Sequence, residues 1–166
     1  MACPEIENTV LRTPVDLSFS RAVWLAPVAY AGHYVEEYFG FPGWVTENFP
    51  TTFSQAEFYR NGVIFTVALV GLCLLVSGFL SKITVFGFLT YASGLFLHNG
   101  LFHVGATVAL QTYSPGLITS LLLYTPLSLL LVNLALKTGL VTRSRILAAF
   151  VFGGIAHYAF IIGQLT

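Results

Sequence analysis

Charge is scarce in this chain. Asp, Glu, Lys and Arg make up 8% of its 166 residues, against about 25% in a soluble domain. Too few charges remain to cover the surface of a water-soluble globule. Disorder is excluded as well, because a disordered chain combines low hydrophobicity with high charge. Neither sign dominates. Seven basic residues balance seven acidic ones, which removes the electrostatic basis for a nucleic-acid partner. Cysteine is nearly absent. Cys3 lies near the N-terminus and Cys73 inside an apolar run, so neither a disulfide framework nor a thiolate zinc site follows. What is present in excess is hydrophobic sequence, at 56% of residues. The expected class is an all-α, multi-pass integral membrane helix bundle.

A spanning helix needs about 20 mainly apolar residues, because its backbone must satisfy its own hydrogen bonds in lipid. Five stretches meet that length: 22–41, 62–80, 83–110, 116–136 and 146–165. They form one transmembrane domain over 22–166, preceded by a polar segment at 1–21 that lacks the features of a signal peptide. Residues 42–60 hold two prolines among Trp44, Phe49, Phe53 and Tyr59, a mixture suited to an interfacial or re-entrant segment and a candidate lid. With five spans, Arg12, Arg21, Lys82, Lys137, Arg143 and Arg145 share one side and Arg60 stands on the other. The positive-inside rule then places the N-terminus in the cytosol. The sequence does not indicate which membrane. Pro27 and Pro126 are expected to kink or interrupt their helices.

The costly residues are few and grouped. Of the acidic and basic residues, Glu36 and Glu37 fall inside a span, and all four histidines (His33, His98, His103 and His157) do so too. An ionisable group at the bilayer centre costs at least about 2.5–3.5 kcal/mol and marks a functional site by default. Two adjacent carboxylates in low dielectric call for a cation or a proton. Glu36 and Glu37 follow His33 by three and four residues, which puts both on the histidine's side of a helix. They also differ by about 100° round the axis, so one of them can face elsewhere. Asn99 and His103 share a face. His98 stands roughly 140° from His103, so both reach one point only through a kink or π-bulge near Gly100. His157 follows Gly153 and Gly154, which permit close helix approach. Counting about 1.5 Å per residue, His33, His98 and His157 come to similar depths.

The string HYVEEYF at 33–39, with HNGLFH at 98–103 and YSPG at 113–116, resembles the HXXEE family of small membrane proteins. That resemblance covers the first through the fourth span. It implies a site of His33, Glu36, Glu37, His98, Asn99 and His103, with metal binding or hydrolase-like chemistry. It names no reaction, and His157 enters on geometry alone.

Imidazoles with one or two carboxylates suit zinc, iron or manganese. The expected ligands are His33, Glu37, His98, His103 and His157. Glu36 or Glu37 is the candidate general base, and Asn99 orients a ligand or polarises a carbonyl. A divalent ion, zinc or iron, would offset the glutamates. The expected function is a membrane enzyme, hydrolytic or oxidative, acting on a hydrophobic or lipid-like substrate. One alternative is a metal-free acid–base isomerase or cyclase of an isoprenoid-type substrate. Another is proton- or cation-coupled transport, which in so small a bundle calls for a homo-oligomer. A structural role for the polar cluster ranks last.

Overall fold

The computed structural model describes residues 19–165. The expectations for Cys3, Arg12 and most of the polar 1–21 segment lie outside the described residues. Among the described residues the regular structure is entirely helical. The elements are α1 (Leu25–Tyr38), α2 (Phe41–Asn48), α3 (Gln55–Gly78), α4 (Lys82–Leu110), α5 (Leu117–Lys137) and α6 (Arg143–Leu165).

Four of these, α3 to α6, are long and apolar enough to cross a membrane. The first expected span is different. Residues 19–22 are helical, a turn follows at 23–24, and α1 runs for 14 residues, about 21 Å at the α-helical rise and short of a ~30 Å hydrocarbon core. Pro27 supplies the reason. A proline lacks the N–H and clashes with the carbonyl four residues earlier, here that of Val23. The displaced Val23 carbonyl instead accepts the Cys73 thiol at 3.3 Å and the Ala26 amide at 3.0 Å. Pro126 likewise follows a π-helical segment, Ser120–Tyr124, inside α5.

α3 starts at Gln55 rather than at the expected residue 62, because Ser54 and Glu57 form a capping box. Ser54 Oγ accepts from the Glu57 amide at 3.2 Å, and Glu57 Oε2 accepts from the Ser54 amide at 2.9 Å. These bonds occupy end donors that would otherwise stay unpaired. The preceding segment folds as the short helix α2, with Pro42 in its first turn.

Buried rings and aliphatic chains such as Phe19, Leu69, Phe88, Phe96, Tyr124 and Leu131 fill the interior. Large apolar side chains also point outward, among them Phe39 at 85% and Ile83 at 83% exposure. An exterior of this kind matches lipid, where packing rather than water exclusion holds helices together. Packing is tightest where α4 meets α6. A Cβ on Gly153 would lie 2.0 Å from Ser93 Oγ and 2.5 Å from the Thr90 carbonyl, and one on Gly94 would lie 2.8 Å from the Gly153 carbonyl. Ser93 Oγ donates within this crossing, at 2.9 Å to both the Ala149 and Thr90 carbonyls. Gly153→Ala is therefore expected to cost about 1–3 kcal/mol, read as a lowered thermal unfolding midpoint in detergent. The Ser93 hydroxyl can rotate away, but the Thr90 backbone cannot. An unchanged midpoint would show the helices to be further apart.

Candidate metal centre

The helical spacing of the first motif brings His33 and Glu37 onto one face of α1. α4 brings His103 to the same point. Glu37 Oε1 lies 3.3 Å from His33 Nε2 and 3.2 Å from His103 Nε2. One ligand atom from each of the three residues falls within 4.8 Å of the other two, and all three residues are buried. The separations suit hydrogen bonds but the directions do not, since both Nε2 atoms are buried and have no hydrogen-bond partner.

The outer face of each ring explains why. His33 Nδ1 is 2.8 Å from Thr119 Oγ1. The Thr119 hydroxyl has one proton, and it is directed to Glu36 Oε2, with the Gly116 carbonyl as a second acceptor. Thr119 Oγ1 therefore accepts from His33 Nδ1–H. A neutral His33 is then held in the tautomer whose Nε2 lone pair faces Glu37. A lone pair opposite a carboxylate is repulsive unless a cation or a proton lies between them. On the other side, His103 Nδ1 is 2.9 Å from Ser114 Oγ. Imidazoles whose far nitrogens are fixed in this way are typical of metal ligands.

Glu36 points elsewhere. Partly exposed, it accepts from the Ile118 amide at 3.1 Å, the Thr119 amide at 2.8 Å, the Thr119 hydroxyl and the Tyr113 hydroxyl. The Ile118 and Thr119 groups stand at the start of α5, where unpaired amides and the helix dipole favour an anion, and Tyr113 reaches the carboxylate from the preceding turn. The Tyr113 phenol is pushed up to about 12, by burial first and by Glu36 second, so it remains a donor. Glu36 is thereby linked through the Thr119 hydroxyl to the His33 ring. All of these donors already engage the carboxylate that the sequence offers as a candidate general base.

The YSPG turn contributes more than sequence reasoning assigned to it. Gly116 has φ +104°, and a Cβ there would lie 2.7 Å from His103 Cε1 and 2.8 Å from His33 Cε1. The turn packs its backbone directly on both imidazoles, and only glycine fits by conformation and by space. Gly116→Ala is expected to cost about 3 kcal/mol and to displace both rings, read as a lowered unfolding midpoint together with weaker metal binding. Thr119, Ser114, Tyr113 and Gly116 were all missed as site residues. The YSPG string was the one signal for Tyr113, Ser114 and Gly116; Thr119 lies beyond it and had none.

His98 and His157 stand outside the group. His98 Nε2 bonds to the Phe150 carbonyl at 2.9 Å and its ring lies against Gly154, where a Cβ would come within 2.5 Å. The π-helical segment of α4, Ser93–His98, ends at this residue, and regular helix resumes at Asn99. Residues 99 to 103 are regular α-helix, the geometry in which the two rings keep their angular separation. His157 and Asn99 instead line a cavity of about 560 Å³ that also touches His33 and Glu37. Asn99 Oδ1 and His157 Nε2 are buried there with no hydrogen-bond partner.

Membrane-length helices around a buried group of two histidines and one carboxylate define the class: an all-helical bundle with a potential metal centre. The family model that matches residues 24–131 is described as a protein of unknown function with HXXEE motif. The chain belongs to this HXXEE family. The match includes His33, Glu36, Glu37, His98, Asn99, His103 and Thr119, and it ends before His157. No curated protein and no solved structure matches the chain.

Proposed function

We propose that this protein is an integral membrane enzyme in which His33, Glu37 and His103 hold a divalent metal ion, zinc or iron, beside a cavity that takes a hydrophobic substrate. One observation carries the reading. Two imidazole Nε2 atoms and a carboxylate oxygen converge at buried positions with no hydrogen-bond partner for either nitrogen. Three protein ligands are the number typical of catalytic rather than structural zinc. Two histidines and a carboxylate also form the facial set of non-haem iron enzymes. The metal would act as a Lewis acid or activate water. His33, held by Thr119, and His103, held by Ser114, supply rigid ligands. Glu37 offsets one of the metal's charges.

The same distances favour one second reading. A proton shared between Glu37 and the imidazoles makes an acid–base couple without metal, as an isomerase or cyclase needs. In both readings the bundle crosses the membrane with the 111–116 turn on the side opposite Lys82, Lys137, Arg143 and Arg145. The positive-inside rule then places the site towards the non-cytosolic face.

The test is elemental analysis of purified protein after loading with zinc or iron(II) and removal of free ion. About one ion per chain is expected, lost on chelation and lost in His33→Ala and His103→Ala. His98→Ala is expected to retain it. Wild-type protein that folds and yet holds no stoichiometric metal would remove the metal reading and leave the acid–base one.

A further inference from the structure

The cavity beside the centre has a shape and a charge that select its occupant. Its wall includes Phe58 and Leu72 on α3 and Phe86 and Phe102 on α4. Those pairs are separated by about 21–24 Å at the helical rise, so the space runs along the helix axes from the metal centre toward the opposite membrane face. Its volume, about 560 Å³, is in the range of small-molecule sites. Aromatic rings make up much of the wall, with Tyr30, Tyr91, Phe65 and Phe160 along its middle.

Among the described residues, no lysine or arginine lines this cavity, and Glu37 is the one carboxylate on its wall. With a divalent ion in place, Glu37 cancels one positive charge and one remains. A single residual charge can polarise a carbonyl or bind a hydroxyl. It cannot neutralise a phosphate monoester or a diphosphate, and an uncompensated charge in low dielectric is costly. Asn99 and His157 line the cavity as neutral polar side chains, and rotation of either would turn a hydrogen-bonding atom that is now buried and unpartnered towards a neutral oxygen-bearing group.

We infer that the cavity takes an uncharged lipid with one oxygen-bearing group, a hydroxyl, carbonyl or ester, whose polar end lies at the His33–Glu37–His103 centre among Asn99 and His157 and whose tail extends towards Gly87. This inference rests on the proposed function for the position of the polar end. Lipids ending in a phosphate monoester or a diphosphate are excluded by charge. Short-chain compounds leave the far part of the cavity unfilled and forfeit its apolar contacts.

Gly87 provides a clean test. It lines the cavity, and a Cβ placed on it meets nothing within 4 Å. Gly87→Leu therefore starts from open space at its Cβ and narrows the tail end, far along α4 from His103. The probe is hexadecanol carrying a diazirine at its tail end, photolysed with full-length, metal-loaded protein in lipid nanodiscs and mapped by mass spectrometry. Labelling is expected on the wall around Leu72 and Phe86. Unlabelled hexadecanol should compete, and hexadecyl phosphate should not. Gly87→Leu should reduce labelling about tenfold, the loss expected when a leucine displaces two or so methylenes of the ligand, with metal content unchanged. Equal competition by the phosphate, labelling confined to the outer surface, or indifference to Gly87→Leu would overturn the inference. Metal content measured on the same samples separates the two proposals. Labelling as expected without metal leaves the cavity assignment standing and removes the metal; metal without such labelling does the reverse.

Discussion

Glu37→Gln is expected to abolish metal binding while leaving the bundle folded. Glu37 is the one carboxylate in the buried three-residue group. The carboxamide has nearly the same shape but no charge, so a divalent ion would rest on two neutral imidazoles. Loss of an outer partner of a metal ligand already costs about 10–100-fold in affinity. Loss of the anionic ligand itself is expected to cost more than about a hundredfold. The metal-free fold should not suffer. The new amide N–H can donate to a lone pair that has no partner in the wild type, and a buried charge is removed, a change often neutral or stabilising. Calorimetric titration with zinc, together with thermal unfolding of the metal-free protein, reads both effects. Wild-type affinity in Glu37→Gln would show that the carboxylate is not a ligand.

Glu36→Ala is expected to fail in the other way, through stability first. Four donors lose their acceptor at once: the Tyr113 hydroxyl, the Ile118 amide, and the amide and hydroxyl of Thr119. Hydrogen bonds to a charged group contribute about 1.5–3 kcal/mol each where buried. Glu36 is partly exposed, so water replaces some of them, and a net loss of about 2–3 kcal/mol is expected. A second effect follows at the metal. With Glu36 gone, the Thr119 hydroxyl proton is free to turn to His33 Nδ1, which moves the imidazole proton to Nε2, where it blocks the ligand atom. Metal affinity should fall about 10–100-fold, the range for an outer-shell partner. Glu36→Gln keeps an acceptor oxygen and should recover part of both losses. If Glu36→Ala leaves the unfolding midpoint and the zinc affinity unchanged, the Glu36–Thr119–His33 chain does not operate.

Adjacent residues with such different roles show how far the sequence could be read. Helical spacing places both glutamates on the side of His33, and the intramembrane position of the histidines marks them as functional. From the chain alone, however, either glutamate could be the general base, and what Glu36 faces is not legible. They separate only when α5 brings its amides against the first and α4 brings His103 against the second. His98 shows the same limit from the other direction. Its five-residue spacing from His103 requires a distortion between the two before both reach one point. The distortion exists, but it ends at His98, along the face where Gly94 meets Gly153 and the His98 ring meets Gly154. The first helix is shorter than its hydropathy implied because Pro27 breaks it, and α3 is longer because Ser54 and Glu57 cap it.

The amino-acid order by itself determined the class. Scarcity of charge and long apolar runs admit a helical membrane bundle and little else, since lipid supplies no hydrogen bonds to an open backbone. It also marked all four histidines and both glutamates as the residues to examine, because a titratable group inside such a run needs a partner. Only the tertiary structure decided which groups are partners. Convergence of three side chains depends on helix rotation and crossing, which arise from contacts between distant segments, and the backbone of Gly116 resting on two imidazoles is such a contact.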